Sequence, residues 1–154
     1  MKKQSMQVND MQIRRADEKD YPVICSLINN ELGYPDVNVE DLTSRIELMN
    51  QDDNYRAFVA LIDDKVVGFI GTVQGIAFEV KGFYLRIVAL AVLEEQQGKG
   101  IGSSLLKYVE DYADSKGINT FAVSSGLQRL NTHLFYEKNG FLKSSYSFWK
   151  GKHK

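Results

Sequence analysis

Residues 97–102 read QGKGIG and stand between an apolar run and a helical pattern. Glycine has no side chain to block a close approach, and the first N–H groups of a helix have no partner within the helix. Together with the positive end of the helix dipole, such amides bind an anion without any catalytic side chain. The loop is therefore predicted to hold a phosphate or pyrophosphate group.

Three nucleotide-binding patterns compete for this loop, and their spacing separates them. The P-loop needs G-x-x-x-x-G-K-[ST], which the sequence lacks. The dinucleotide pattern G-x-G-x-x-[GA] would start at Gly98, but Ser103 occupies its last place and no acidic residue ends a strand about 20 positions on. The pattern [QR]-x-x-G-x-[GA] is satisfied by Gln97, Gly100 and Gly102.

Two further segments accompany the loop in order. Residues 89–95 read ALAVLEE before it, and residues 135–141 read FYEKNGF well after it. With the loop, they resemble the GNAT superfamily of N-acetyltransferases, in which this loop holds the pyrophosphate of acetyl-CoA. The resemblance covers nearly the whole chain, from about residue 14 to residue 148. It implies transfer of an acetyl group from acetyl-CoA to an amine.

Composition bounds the class of protein. The chain has 154 residues, 44% of them hydrophobic, so we expect one domain over residues 1–154, with residues 1–10 and 151–154 as flexible tails. A formal net charge of −1 gives no field for gathering nucleic acid. No apolar run approaches the ~20 residues of a membrane span. The one cysteine, Cys25, has no metal-type spacing to other ligands, so we expect a small core residue and no metal site. Since a single cysteine cannot form an internal disulfide, we also expect a cytoplasmic location.

Periodicity predicts a mixed α/β chain. Strands are predicted over residues 11–15, 55–62, 66–74, 82–92 and 119–124, with a closing strand over 145–150. Helices are predicted after Asp20, after Asp36 or Asn38, from Ile101, and over residues 129–139. The expected fold class is α/β (α+β), a mixed, mostly antiparallel sheet with helices on both faces. The resemblance adds that two central strands are splayed.

The resemblance also implies where acetyl-CoA lies. Its pantetheine arm would occupy the gap between residues 83–92 and 120–124 as an added strand, because an open strand edge offers unpaired N–H and C=O groups. The implied coenzyme-binding residues are Leu90, Ala91, Val92, Gln97, Gly98, Lys99, Gly100, Ile101, Gly102, Ser103, Asn131 and Tyr136. Lys99 is equally compatible with a solvated loop lysine, and Asn131 lies closer to Tyr136 than in the common pattern.

Two catalytic roles follow for this site. Acyl transfer from a thioester passes through an oxyanion, which the Leu90 amide is placed to stabilise. The leaving thiolate has a solution pKa near ~8.5, and a tyrosine hydroxyl of pKa near ~10 can supply its proton. By the resemblance of residues 135–141, Tyr136 is that acid. By residue type alone, core packing between the last helix and the sheet is the favoured interpretation of Tyr136.

The general base stays open. Many members of the family carry a Glu on the central strand, but residues 84–90 contain no acid. Three other candidates are Glu79 before that strand, Glu31 near the substrate-side helices, and His133, which shares a helix face with Tyr136. A structural histidine and ordinary surface acids are the alternatives.

Residues 124–133 read SSGLQRLNTH and are similar to a variant found in aminoglycoside- and aminoalkylphosphonate-type members. The leading hypothesis is therefore an acetyl-CoA-dependent N-acetyltransferase that acts on a primary amine of a small molecule by direct attack in a ternary complex. The alternatives are acetylation of a protein N-terminus or lysine, a catalytically silent acyl-CoA sensor and, remotely, a nucleotide-dependent oxidoreductase. The oligomeric state is open, and a homodimer through strand edges is compatible with the sequence.

Overall fold

The chain folds around one five-stranded sheet, in a computed structural model that describes residues 10–151. The strands lie in chain order: β1 Gln12–Arg15, β2 Tyr55–Ile62, β3 Lys65–Ile76, β4 Phe83–Val92 and β5 Phe121–Val123. The first four pair antiparallel, and β5 joins β4 in parallel. Residues 1–9 and 152–154, which belong to the predicted tails, lie outside the described residues.

The described range holds four α-helices and two short 3-10 turns. The helices are α1 Tyr21–Asn30, α2 Val39–Asn50, α3 Ile101–Asp114 and α4 Leu130–Lys138, and the turns are Glu18–Asp20 and Glu94–Gln96. Asn38 caps α2 by accepting a hydrogen bond from the Asp41 N–H at 2.8 Å, as the sequence predicted for one of two candidates. None of these helices has the length and hydropathy needed to cross a membrane.

Helices cover both faces of the sheet. On one face, Ile24 and Leu27 of α1 and Leu42 of α2 pack with alternate strand residues such as Val59 and Phe69. On the other face, α3 and α4 pack against the intervening strand residues, among them Phe58, Ala60, Ile70, Leu85 and Ile87. Successive side chains of β2 and β3 point to opposite faces of the sheet, so each face has its own apolar core. The predicted mixed sheet between helical layers is confirmed.

The β4 and β5 strands part after three residue pairs. Pairing runs from Leu85 opposite Phe121 to Ile87 opposite Val123, and within the described residues β4 has no strand neighbour on that side beyond Ile87. On its other side, β4 stays paired with β3 as far as Val92. The predicted splay of the central strands is therefore confirmed, and it leaves residues 88–92 with one open edge.

The predicted closing strand over residues 145–150 is wrong. Residues 141–151 have no regular secondary structure, and the side chains of Tyr146, Phe148 and Trp149 are 75%, 94% and 94% exposed. The Ser147 hydroxyl lies 3.0 Å from the hydroxyl of Ser124, the residue after β5, and the segment adds no strand to the edge of the sheet. Side chains alternate over residues 145–150 as they do in a strand. A strand also needs a neighbouring strand to which its backbone can hydrogen-bond, and alternation alone does not supply one.

Candidate active site

The glycine loop ends in a helix terminus without a capping side chain. Gly98 and Gly100 have φ values of 80° and 87°, a left-handed conformation that favours glycine. Gly100 is the residue before α3, and no side chain accepts from the first N–H groups of this helix. A Cβ atom at Gly98 or Gly100 would meet nothing within 4 Å. The amides of the first turn, residues 101–103, are therefore available to an anion in open space.

Gly102 serves a different purpose from the other two glycines. A Cβ atom there would lie 3.0 Å from Cζ of Phe135 on α4, so this glycine lets α4 pack closely on the first turn of α3. The sequence predicts that all three glycines make room for a ligand, but Gly102 makes room for a neighbouring helix. The contact fixes Phe135, and with it the adjoining Tyr136, relative to the loop.

Gln97 ties the loop to the end of β4. Its side-chain amide Nε2 donates to the Val92 carbonyl at 2.9 Å and to Oε1 of Glu31 at 3.3 Å. The other carboxylate oxygen of Glu31 accepts from the Glu94 N–H at 3.2 Å. Lys99 is exposed, and its Nζ donates to Oε1 of Gln96 at 3.2 Å. Gln97 and Glu31 therefore hold the backbone on the approach to the loop.

The open edge of β4 presents the backbone of Leu90 and Val92. The Leu93 N–H donates to the Val67 carbonyl on β3 at 2.8 Å, so by strand alternation the backbone groups of Ala91 also face β3. Those of Leu90 and Val92 face the gap beside β5. Ala91 is opposite Phe69 in the ladder, and its backbone groups are used within the sheet.

A β-bulge at Val88 sets this orientation. Ile87 lies opposite Thr72 and Ala89 opposite Gly71, so Val88 has no partner on β3. Before the bulge, the Leu85 N–H faces β5, where it donates to the Thr120 carbonyl at 2.9 Å. One extra residue reverses the alternation, and even-numbered residues face the gap after it. Without the bulge, the Leu90 amide would point into the β3 ladder.

Tyr136 sits in an aromatic cluster. Its ring meets those of Phe135 and Phe141 edge to face, at centroid distances of 5.3 and 5.4 Å. Burial raises the pKa of the Tyr136 hydroxyl above its ordinary value, against a smaller opposing effect of the Arg129 charge. None of the hydrogen bonds among residues 10–151 uses this hydroxyl. Tyr136 is therefore held as a neutral phenol whose proton is uncommitted.

His133 holds the turn before α4. Its Nε2 donates to the Gly126 carbonyl at 2.7 Å, and its Nδ1 is buried without a hydrogen-bond partner in the described residues. The Ser125 hydroxyl is likewise buried without a partner. The ring therefore has a structural hydrogen bond at Nε2 and no partner at Nδ1 among the described residues.

The remaining candidate residues are Asn131 and Glu79, which are exposed, and Ser103, which is half-buried. Asn131 lies on the first turn of α4 without a side-chain hydrogen bond among the described residues, and Ser103 lies on the first turn of α3. Glu79 precedes β4, and Leu90 is about 23 Å beyond the start of that strand at ~3.3 Å per residue. This distance argues against direct proton transfer by Glu79. No group of three or more potential metal ligands occurs in the described range.

The match to a family model decides the relationship of this chain to known proteins. The model described as "Acetyltransferase (GNAT) family" matches residues 13–141. The chain belongs to the GNAT family of acetyltransferases. The resemblance noted in the sequence is confirmed, and this GNAT chain is a member of a family of acyltransferase enzymes that use acetyl-CoA.

Two curated relatives and one solved structure are similar to this GNAT chain. It is 30% identical over 133 residues to the uncharacterized N-acetyltransferase YhdJ of Bacillus subtilis, covering 86% of this chain and 89% of the relative. It is 29% identical over 143 residues to an aminoalkylphosphonate N-acetyltransferase of Salmonella typhimurium, covering 90% of each. The structure of AAC(6')-Iy with a CoA bisubstrate analogue has a TM-score of 0.77 at 18% identity, covering 94% of this chain and 99% of that one. At 18% identity, the similarity to AAC(6')-Iy shows only that the two chains share a fold.

Three features of this GNAT site were not foreseen from the sequence. They are the bulge at Val88, the packing of Phe135 over Gly102, and the hydrogen bonds of Glu31 to the loop approach. The first two depend on strand register and helix placement. The third joins residues 66 positions apart, and the only available signal was an acid at the carboxyl end of a predicted helix.

Proposed function

We propose that this chain transfers the acetyl group of acetyl-CoA to a primary amine of a small molecule, by direct attack in a ternary complex. The observation that carries the proposal is the uncapped first turn of α3 lying just beyond the open edge of β4. The first feature suits a pyrophosphate, and the second suits the amide-bearing pantetheine arm. Acetyl-CoA is the co-substrate and supplies the activated acyl group. The proposed reaction uses no metal ion.

The amine nitrogen attacks the thioester carbonyl carbon, and negative charge develops on its oxygen. The Leu90 N–H faces the gap and is the donor we assign to that oxygen, because a fixed amide needs no reorganisation as charge develops. Val92 offers the next backbone groups along the same edge, although its carbonyl already accepts from Gln97. The preceding bulge is therefore part of the catalytic geometry.

When the tetrahedral intermediate collapses, the C–S bond breaks and the thiolate of coenzyme A takes a proton. We assign that proton to the Tyr136 hydroxyl, which is neutral and free of other hydrogen bonds among the described residues. A thiolate of solution pKa near ~8.5 is nevertheless a weaker base than an ordinary phenolate near ~10. Concerted transfer as the C–S bond breaks avoids a free thiolate, and the Tyr136 phenolate regains its proton from solvent after the thiol leaves.

The attacking amine must lose a proton, and the choice of base stays between Glu31, Glu79 and His133. The two oxygens of Glu31 already accept hydrogen bonds, and Glu79 lies near the far end of β4. His133 has an unpartnered Nδ1 in the same helix as Tyr136. The contacts favour His133 among the three, acting directly or through a water.

The acceptor is proposed to be a small amine. Support comes from the aminoalkylphosphonate N-acetyltransferase relative, which aligns along 90% of this chain. The alternatives are acetylation of a protein N-terminus or lysine, and an acyl-CoA sensor without turnover.

A substrate panel tests these alternatives. Release of coenzyme A thiol would be followed with aminophosphonates, aminoglycosides, polyamines, amino acids and peptides. Turnover with a small amine would support the proposal, and turnover confined to peptides would favour the protein acetyltransferase. No turnover on any acceptor, combined with tight binding of coenzyme A, would favour the sensor.

We also propose a cytoplasmic homodimer. The exposed segment 141–151 alternates like a strand, and β5 is a sheet edge with no further strand beyond it in the described chain. A second copy would cover the aromatic side chains of this segment through a self-complementary contact. The buried, unpaired thiol of Cys25 is compatible with a reducing compartment.

A further inference from the structure

The carboxylate of Glu31 makes a bridge between two distant parts of the chain. The residue directly follows α1, where its N–H donates to the Leu27 carbonyl at 2.8 Å. Its side chain accepts from the Glu94 N–H at 3.2 Å and from Nε2 of Gln97 at 3.3 Å. These contacts span 63 and 66 residues along the chain and end on the approach to the glycine loop.

The loop needs such support because its own backbone is weakly restrained. Gly98 and Gly100 are exposed, lie in left-handed conformations, and have open space beside them. Gln97 is the first residue of the loop, and its side-chain amide is shared between the Val92 carbonyl and Glu31. Fixing Gln97 therefore fixes where the loop leaves β4.

The other end of the bridge leads to the connection between α1 and α2. There Nδ2 of Asn29 donates to the carbonyls of Tyr34 and Val37 at 2.8 and 2.9 Å, and the Tyr34 N–H donates to the Ile28 carbonyl at 3.2 Å. The segment that contains Tyr34 is thus tied to the same helix end as Glu31. The Glu31 side chain therefore links the end of α1, and with it this segment, to the approach to the glycine loop.

We propose that Glu31 is a positioning residue that holds the glycine loop in the shape that binds the pyrophosphate of coenzyme A. The inference rests on the proposed function. A positioning residue and a catalytic base can be distinguished by the effect of removing each one. Loss of a positioning residue weakens coenzyme binding, whereas loss of a base slows turnover and alters its pH profile.

The test compares Glu31→Ala and Glu31→Gln with Glu95→Ala in the full chain. Glu95 is an exposed acid on the same approach, with no side-chain hydrogen bond among the described residues. Calorimetry with coenzyme A gives Kd without any acceptor. We expect Glu31→Ala to raise Kd about tenfold, the equivalent of one charge-assisted hydrogen bond. Glu31→Gln keeps one acceptor oxygen and should fall between Glu31→Ala and the wild type, while Glu95→Ala should match the wild type.

A double-mutant cycle with Gln97→Ala gives a second readout. If Glu31 acts through Gln97, the two substitutions together should raise Kd less than the product of their separate effects. The pH profile of kcat at saturating acetyl-CoA should keep its shape in the Glu31 variants, whereas loss of a general base would alter that shape.

Separate results would overturn the inference and the proposed function. Unchanged Kd in both Glu31 variants, with normal binding by the wild type, would overturn the positioning role alone. A large loss of kcat at unchanged Kd would overturn it in favour of a base. No binding of coenzyme A by the wild type would overturn both the inference and the function on which it rests.

Discussion

At the scale of single residues, the burial and hydrogen bonds of a side chain distinguish its role in the site better than its residue type does. Tyr136 could be predicted from its motif, but only the structure shows a hydroxyl held neutral by burial and left out of the hydrogen bonds among the described residues. From residue type, Glu31 and His133 are both only candidates for the general base, with a surface acid and a structural histidine as the alternatives. The structure gives each at least one hydrogen bond that sequence spacing cannot reveal, because their partners are positioned by loops.

Replacing Tyr136 by phenylalanine tests the acid. The aromatic packing is kept and the proton is removed, so kcat should fall by about 10²-fold while Kd for coenzyme A changes little. Because burial raises the pKa of Tyr136, loss of wild-type activity through its deprotonation should begin only above the ordinary value of about 10. Steady-state kinetics across pH provides the measurement, and an unchanged kcat would remove Tyr136 from the role.

The ion pair of Arg14 and Asp20 predicts acid sensitivity. Burial of the Asp20 carboxylate opposes ionisation, but two hydrogen bonds from Arg14, at 2.7 and 3.0 Å, and one from the Asp17 N–H outweigh it and lower the pKa of Asp20. A lowered folded-state pKa contributes stability that is present above about 3.9 and is lost as pH falls through the folded value. Chemical unfolding should therefore show a steeper acid loss in wild type than in Asp20→Asn.

The Asp20→Asn variant should also be about 2 kcal/mol less stable at neutral pH, because Arg14 loses a charged partner at a largely buried position. Equal stability of the two proteins at pH 7 would contradict this assignment.

At the scale of elements, local signals were sufficient for helices and most strands. The bounds of α3 and β2 follow from periodicity and from the glycines or turn residues beside them, which are neighbours in sequence. The bulge at Val88 and the unpaired segment after α4 were not predictable, because each depends on which strand lies beside the chain. Pairing is a non-local property that alternation does not encode.

The first turn of α3 is tested by Gly100→Asp against Gly117→Asp. Both glycines have positive φ, 87° and 74°, and open space where a Cβ atom would stand, so the backbone strain is matched. Only Gly100→Asp places a carboxylate beside the proposed pyrophosphate, and binding of coenzyme A should be lost in that variant alone. Retained binding in Gly100→Asp, or equal loss in both, would contradict the loop assignment.

At the scale of the whole molecule, the family and layered sheet could be read from three motifs in order, while the assembly could not. The segment 141–151 exposes three aromatic side chains, each presenting roughly 150–250 Å² for burial. Together they would supply roughly 450–750 Å², more than half of the ~800 Å² per partner of a stable interface. Neither sequence periodicity nor the isolated chain identifies the surface that covers them, which is why the homodimer is a proposal.

The homodimer predicts a concentration-dependent signal from Trp149, the only tryptophan in the chain. Its side chain is 94% exposed in the single chain, so dimerisation should shift its emission to the blue, and dilution should reverse the shift. Light scattering should give twice the chain mass for wild type and for Leu48→Asp, a control at an exposed leucine on α2. Phe148→Asp should be monomeric. A wild type that is monomeric at all concentrations would contradict the assembly.

The central claim is that backbone amides at the start of α3 hold the pyrophosphate of coenzyme A, with the pantetheine arm in the gap beside β4. A crystal structure of the wild-type chain with coenzyme A measures this directly. We predict phosphate oxygens within hydrogen-bonding distance of the N–H groups of residues 101–103, and an arm paired with the backbone of Leu90 and Val92. Coenzyme bound elsewhere, or an arm outside the gap, would contradict the account.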